Sequence, residues 1–277
     1  MPDTTVKVTI LGTGPSSGIP LVGGNWGDCD PNEPRNRRRR SSILVEAGAT
    51  SLLFDSSPDC RAQLLDAGVK RLDAVVYTHA HADHCHGVDD LRWVNYAMRA
   101  PLPVYGDAKT LEILSERFGY VFKPLPPRKP GAPVSYYKPV LPPHEITGDF
   151  EIAGIELKPF EQEHGSLKSL GFRIGNFAYS TDAVALDEAA FAALEGVDTW
   201  LVGVFRRKPH PTHAHLDLAL EWIERVKPRR AVLCHMGPDL DYRTLCDELP
   251  KGVEPGYDGM ELDVARGCTP EMPQAAD

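Results

Sequence analysis

Four side chains that can bind a metal ion fall within six positions of one segment: His79, His81, Asp83 and His84. The apolar, β-branched run 75–78 directly before them predicts a buried strand. Side chains alternate along a strand, so we expect His79 and His81 to point the same way and the following Asp-His pair to approach from a second direction. Imidazoles that converge with a carboxylate bind zinc or manganese. A polar loop that is merely rich in histidine is the alternative.

Three further candidate ligands lie near the ends of later predicted strands. His164 and Asp182 are associated with alternating runs that predict strands over 151–160 and 171–180, and His235 follows a shorter apolar run. A lone histidine at a strand end is more often a hydrogen-bonded polar residue than a ligand. The argument for these three rests on their order, histidine, aspartate and histidine, behind the first motif.

The spacing His-x-His-x-Asp-His followed by Gly87, with the later ligands in this order, resembles the signature of the metallo-β-lactamase-fold hydrolases. The resemblance implies two divalent metal ions, Zn²⁺ or Mn²⁺, with one set of ligands for each and one bridging residue. The first set is His79, His81 and His164, the second is Asp83, His84 and His235, and Asp182 bridges. Two such ions about 3.5–4 Å apart can share a hydroxide that attacks a polarised bond at neutral pH.

The predicted elements favour two mixed sheets over one parallel sheet. Strands alternate with helices, yet the segments 42–46 and 51–55 read as a hairpin, which fits a doubly wound parallel sheet poorly. We therefore expect an α+β fold of two packed sheets with helices outside. The resemblance implies the same architecture, the αββα sandwich of the metallo-β-lactamase fold. It also implies that Asp55, at the end of the second hairpin arm, supports the metal ligands from behind, as ligating imidazoles require.

We predict that residues 1–277 form one domain, since this length can bury a large core. The segment 123–143 is dense in proline, which cannot continue a regular ladder. We expect an insertion here that lies over the site or contacts a partner; a passive connector is the alternative.

Two more histidines lie in the stretch 211–216, just before a predicted amphipathic helix. The stretch resembles the phosphodiesterase branch of the family, which includes ribonuclease Z and the phosphoribosyl cyclic phosphodiesterase of phosphonate degradation. The resemblance gives His213 the position of a general acid that protonates the leaving alkoxide. It makes both His213 and His215 candidates for substrate binding, although His215 could equally cap the helix. We also expect Asp83 to serve catalysis.

These assignments predict a phosphodiesterase that cleaves a small cyclic or nucleotide-like phosphodiester with the shared hydroxide as nucleophile. A ribonuclease Z-like nuclease for RNA or tRNA is one alternative, although the basic arm it needs is poorly matched by 123–143. A non-catalytic carrier role, as in the related quinone-cofactor biosynthesis protein, is another; the complete ligand set favours catalysis. Thioester hydrolysis is a further alternative. No closely spaced cysteines lie near Cys29, so we predict no structural zinc.

The composition bears on partners and location. The formal net charge of −9 gives no general attraction to nucleic acid or to an anionic membrane. The six cysteines include no Cys-x-x-Cys pair, no cationic apolar leader is recognisable, and no apolar run could span a bilayer. We therefore expect free thiols and a cytoplasmic protein. A homodimer is compatible with the sequence.

Two segments near the N-terminus could also contact substrate. The glycine-rich loop 12–18 follows a predicted strand but lacks the G-x-G-x-x-G spacing, so we interpret it as a tight turn, with phosphate binding as the alternative. The run 37–40 consists of four arginines. Such runs are usually solvated, but one or two of these side chains could reach a substrate phosphate.

Overall fold

The computed structural model describes residues 5–126 and 136–265, so the middle of the proline-rich segment, 127–135, and the prediction made for it lie outside the described residues. The described part forms two seven-stranded sheets. The strands of the first sheet are Thr5–Gly12 (β1), Ser42–Ala47 (β2), Thr50–Phe54 (β3), Ala74–Val76 (β4), Val104–Gly106 (β5), Pro143–Glu145 (β6) and Glu261–Ala265 (β14). Those of the second sheet are Phe150–Ile152 (β7), Ile155–His164 (β8), Leu167–Ile174 (β9), Phe177–Ser180 (β10), Thr199–Gly203 (β11), Arg230–Cys234 (β12) and Val253–Pro255 (β13).

Seven α-helices accompany these sheets in the described ranges. They are Cys60–Asp66 (α1), Ala82–Cys85 (α2), Leu91–Met98 (α3), Ala108–Phe118 (α4), Glu188–Leu194 (α5), Leu216–Val226 (α6) and Tyr242–Glu248 (α7). None of the described helices combines the length and the apolar character needed to cross a bilayer.

Both sheets are mixed, as the sequence predicted. The first has the strand order β14-β1-β2-β3-β4-β5-β6, antiparallel from β14 to β3 and parallel from β3 to β6. The second has the order β13-β12-β11-β10-β9-β8-β7, parallel from β13 to β10 and antiparallel from β10 to β7. Parallel pairs need long crossovers, and helices supply several of them.

Three apolar clusters fill the layers. One lies between the sheets, where Phe54 of the first sheet meets Phe172 of the second edge to face at 5.3 Å between ring centroids. A second packs α5, α6 and α7 on one outer face, and a third packs α1, α3 and α4 on the other. This layering confirms the αββα sandwich.

The structure corrects several predicted element boundaries. The runs 151–160 and 171–180 each contain a turn, because Ala153, Gly154 and Gly175 adopt positive φ and divide them among β7 to β10. Strand β8 extends past the predicted end at 160 to His164, so this histidine lies at a strand end as the sequence predicted. Pro143, predicted inside the insertion, begins the edge strand β6, a position where proline costs no ladder hydrogen bond.

Candidate metal centre

The seven predicted ligands meet at one edge of the sandwich. Four come from the turn that leads from β4 through α2, and the other three come from the end of β8 and from the residues after β10 and β12. Strand β4 ends at Val76, so His79 and His81 lie beyond it. Their rings meet at 4.6 Å between centroids because the chain turns into α2 at His81, and not because of strand alternation.

Three residues at this edge have left-handed backbones. Asp55 after β3, Asp182 after β10 and His235 after β12 have φ values of 61°, 52° and 56°. Such conformations cost non-glycine residues about 1–3 kcal/mol each and persist where the surrounding structure holds them. Each occurs within two residues of the end of its strand, so the chain reverses there and the side chains converge above the sheet edge.

The predicted ligand atoms form two groups, within each of which all atoms lie within 4.8 Å of one another. The first is His79, His81, His164 and Asp182, and the second is Asp83, His84, Asp182 and His235. Asp182 belongs to both. Its Oδ2 lies 3.5 Å from His164 Nε2 and 3.7 Å from His79 Nε2, whereas its Oδ1 lies 3.3 Å from His84 Nε2 and 3.1 Å from His235 Nε2.

The buried nitrogens fit divalent metal ions. The Nε2 atoms of His79, His84 and His235 are buried and have no hydrogen-bond partner in the structure. A buried polar atom without a partner costs about 1–3 kcal/mol, and here all three atoms face a shared carboxylate. A cation on each side of Asp182 would satisfy them, so the donor set fits two metal ions.

Neighbouring groups fix the orientation of three of the imidazoles. His84 Nδ1 lies 2.6 Å from Asp55 Oδ2, His164 Nδ1 lies 2.7 Å from the Thr212 carbonyl oxygen, and His79 Nδ1 lies 3.0 Å from Thr78 Oγ1. For His84 and His164 the acceptor requires the proton on Nδ1 and leaves Nε2 free to bind a metal ion. Thr78 and Thr212 were not singled out from the sequence; their signal is that each adjoins a predicted site histidine.

Asp55 contacts both His84 and Thr78, the residue before His79. It is fully buried, and besides the contact with His84 it accepts hydrogen bonds from the Thr78 amide and hydroxyl, each at 2.8 Å. The carboxylate therefore orients both the His84 ring and the residue directly before His79. The supporting role stays a prediction, and these hydrogen bonds are the contacts that it requires.

Asp55→Asn is expected to weaken zinc binding by about 10–100-fold, the usual effect of losing a partner behind a metal ligand. Competition with a chelator measures the change. Asp73→Asn is the matched control, because Asp73 accepts a backbone hydrogen bond from Ser51 at 2.9 Å but lies outside the ligand groups. Equal affinities for Asp55→Asn and the wild-type protein would contradict the assigned support.

The charge states of the two groups differ. Burial lowers the pKa values of His79 and His81, and that of His164 to about 4, so these imidazoles are neutral at pH 7. Burial also opposes the charged form of His84, but Asp182, Asp83 and Asp55 together raise its pKa well above the usual range. Without a metal ion, the second group therefore holds a proton on His84.

Zinc binding at pH 7 is therefore expected to release a proton from His84. Because the pKa of His84 is raised, the proton is present at neutral pH, and affinity increases as pH rises and the proton is lost. Calorimetric titrations in two buffers of different ionisation enthalpy measure the release. We expect His84→Ala to release about one proton fewer than His164→Ala; equal release from the two variants would contradict the assignment.

His213 reaches the centre and His215 does not. His213 Nε2 lies 3.1 Å from Asp182 Oδ2, its Nδ1 lies 2.7 Å from Thr212 Oγ1, and its side chain is 17% exposed. His210, which the sequence analysis did not identify, lies 3.2 Å from His213 Nδ1. His215 occupies the N-cap position of α6 without a side-chain cap hydrogen bond. The role in substrate binding predicted for His215 stays a prediction, and the described residues show no hydrogen bond from its side chain.

The glycine-rich loop serves packing. A Cβ at Gly12 would lie 2.0 Å from the Arg40 carbonyl oxygen, and one at Gly14 would lie 2.9 Å from Arg38 Cβ. The residue between them, Thr13, accepts a hydrogen bond at 2.8 Å from the amide of Met236, next to His235. The glycines therefore allow close approach of the 38–40 segment, which favours the tight-turn interpretation.

The four arginines of the run 37–40 have partners outside the ligand groups. Arg37 lies over the Trp26 ring, Arg39 pairs with Asp66 and Arg40 pairs with Asp59. The Arg38 side chain is buried and donates to the backbone carbonyls of Met236, Gly237 and Leu240. The structure places none of these four guanidinium groups in contact with the described ligand groups.

Comparison with known proteins agrees with this geometry. The protein-family model of the beta-lactamase superfamily domain matches residues 50–236 of this sequence. The solved structure of a new diphosphatase from the PhnP family is 31% identical, with a TM-score of 0.86 over 95% of this chain and 98% of that one. A ribonuclease Z from Mycobacterium sp. is 25% identical over 294 residues, which cover 95% of this chain and 97% of that protein.

An octanoyltransferase from Porphyromonas gingivalis is 32% identical over 260 residues. The match covers 92% of this chain and 51% of that protein, so the chain spans about half the length of this relative. Fold, ligand clusters and family match agree: the chain belongs to the beta-lactamase superfamily, has the metallo-β-lactamase fold and is similar to the PhnP-family diphosphatase.

Proposed function

We propose that the chain is a metal-dependent phosphodiesterase that acts on a small cyclic or nucleotide-like phosphodiester with two divalent ions, zinc or manganese. The observation that carries the proposal is the Asp182 carboxylate, whose two oxygens each face one histidine group. The partly exposed His213 lies against the same carboxylate at 3.1 Å. The similarity to a diphosphatase and to a ribonuclease Z, both named for phosphate chemistry, supports the same reaction class.

Each residue of the predicted centre would have a defined role in this reaction. When bound, two divalent cations activate water for attack and neutralise charge on the phosphoryl oxygens. His79, His81 and His164 would hold one cation, Asp83, His84 and His235 would hold the other, and Asp182 would bridge them. Burial opposes ionisation of Asp83, but His84 and His235 hold its pKa well below the usual range, so this carboxylate is charged and can accept a proton from the attacking water.

In this proposal His213 completes the reaction as the general acid. Its Nε2 faces Asp182 at the partly exposed side of the centre, where a substrate phosphorus would approach. A proton on Nε2 can pass to the leaving alkoxide, which is the step that makes a poor leaving group depart. Thr212 Oγ1 and His210 hold the other side of the ring.

The experiment that tests the proposal compares substrates for metal-stripped protein reconstituted with zinc or manganese. We expect hydrolysis of bis(p-nitrophenyl) phosphate and little of p-nitrophenyl phosphate, an octanoyl thioester or a β-lactam. An inorganic or nucleoside diphosphate tests the reaction named for the PhnP-family relative. Metal-loaded protein that leaves every phosphodiester intact would contradict the proposal. Selective cleavage of the octanoyl thioester would instead favour thioester hydrolysis, in line with the octanoyltransferase relative.

A ribonuclease Z-like nuclease is the second candidate, and the observation in its favour is the match over nearly the full length of a ribonuclease Z. Binding to tRNA through many phosphates would weaken steeply with added salt. The net charge of −9 argues against a large nucleic-acid footprint. Salt-sensitive binding and cleavage of a precursor tRNA would favour this candidate over the small diester.

The remaining predictions concern a carrier role, the cellular location and the oligomeric state. A non-catalytic carrier role would leave all the substrates intact while the protein binds a small molecule. The cytoplasmic location rests on the free cysteines, four of which are buried. A homodimer is tested by sedimentation.

A further inference from the structure

Two of the predicted histidine ligands lack the hydrogen bond on the outer ring nitrogen that orients the others. His79, His84 and His164 each have a partner on the ring nitrogen that faces away from the centre. His235 Nδ1 is buried without a hydrogen bond. His81 Nδ1 faces His164 Nε2 at 3.0 Å, and no described residue hydrogen-bonds its other nitrogen.

Instead, a backbone carbonyl next to each of these two histidines accepts a hydrogen bond from an arginine. Ala80, which precedes His81, accepts a hydrogen bond from Arg117 of α4 at 2.5 Å. Met236, which follows His235, accepts one from Arg38 at 3.4 Å. Both ligand histidines that lack a hydrogen bond on the outer ring nitrogen therefore have a flanking carbonyl that accepts a hydrogen bond from an arginine. The Ala80 carbonyl also flanks His79, whose ring already has Thr78 as a partner.

Arg38 is bound in an unusual way. Its side chain is buried, and its terminal nitrogens donate to the carbonyls of Gly237 at 3.1 Å and Leu240 at 2.6 Å as well as that of Met236. No carboxylate of the described chain pairs with it within 4.0 Å, and burial lowers its pKa. Burying a cation among neutral acceptors is costly, and the contacts it makes span the loop that begins at His235.

Arg117 is bound differently. Arg117 is an exposed residue of α4, and its Nη1 donates a hydrogen bond to the Ala80 carbonyl oxygen. Cys85 Sγ contacts the same oxygen at 3.6 Å. Ala80 is the peptide between two ligands of the same group, so a fixed carbonyl there restricts both His79 and His81. The hydrogen bond from the Arg117 guanidinium restrains this carbonyl within the turn.

We propose that Arg117 and Arg38 are positioning residues for His81 and His235, which they hold through flanking backbone carbonyls in place of ring hydrogen bonds. Each arginine thereby supports one ligand group, Arg117 the group of His81 and Arg38 the group of His235. The inference rests on the metal centre of the proposed function. Neither arginine touches a predicted ligand side chain in the structure, so the effect of each passes through the backbone.

The test measures zinc affinity by chelator competition with the full-length chain, one group at a time. His164→Ala disables the first group and Asp83→Ala disables the second. We expect Arg117→Gln to weaken the remaining site by about 10–100-fold in the Asp83→Ala background and to leave the site in the His164→Ala background unchanged. Arg38→Lys should show the opposite pattern. Arg117→Lys, which keeps one donor for Ala80, should recover part of the loss.

Arg71→Gln is the matched control, because Arg71 also donates to a backbone carbonyl, that of Ala49 at 3.1 Å, outside the ligand groups. Equal weakening in both backgrounds, or none in either, would overturn the inference. If Arg38→Lys does not fold, the Arg117 variants decide it alone. Failure of the unmodified protein to bind zinc would overturn the metal centre itself, whereas normal zinc binding with no Arg117 effect would overturn only the positioning role.

Discussion

Asp182→Asn should lower hydrolysis of bis(p-nitrophenyl) phosphate by about three orders of magnitude, the upper range for loss of one electrostatic partner. The buried carboxylate is the only residue shared by both ligand groups among the described residues. An amide has the same shape but no charge, so it cannot place an anionic oxygen toward each group. The same variant should retain at most one zinc ion, as measured by metal analysis after dialysis.

Asp217→Asn is the control for this variant, since it makes the same chemical change at an exposed position in the first turn of α6. It should keep both the activity and the metal content. The left-handed backbone at Asp182, with φ of 52°, also tolerates asparagine, so a folding defect is not expected to mimic the result. Two retained zinc ions with full activity in Asp182→Asn would refute the bridging role.

His213→Ala should lower turnover by about 10²–10⁴-fold while two metal ions stay bound. The loss should depend on the leaving group. A nucleoside 2′,3′-cyclic phosphate releases a basic alkoxide that needs a proton, whereas p-nitrophenolate leaves without one. We therefore expect a large loss with the cyclic phosphate and a much smaller loss with bis(p-nitrophenyl) phosphate, in kcat measured with saturating metal.

His144→Ala serves as the comparison, because this histidine is exposed on the edge strand β6 and stacks on Tyr105. It should have wild-type turnover with both substrates. A loss in His213→Ala of equal size for the two leaving groups would argue against proton donation and for substrate binding. Full activity would remove His213 from the mechanism altogether.

The candidate metal-binding residues and the fold class could be predicted from local sequence patterns. The ligand types at His79 to His84 follow one another in the chain, and alternating apolar runs reveal strands without knowledge of their partners. Where a turn interrupts such a run, as at Gly175, alternation continues on both sides and the prediction merges two strands. The hairpin over 42–55 and the mixed sheets were confirmed because their signals are short-range.

Tertiary structure decided which residues of similar chemistry meet. His213 and His215 are two positions apart in the same stretch, yet only the former contacts Asp182, because α6 begins directly after the latter. Arg38 is likewise one of four consecutive arginines that the sequence does not distinguish. It is buried because it contacts the loop after His235, some 200 positions away in the chain. The sequence by itself therefore determined which metal-binding side chains are available and in what order. Which of them converge, and which side chains orient them, depended on left-handed turns and long-range carbonyl contacts that leave no periodic signal in a sequence.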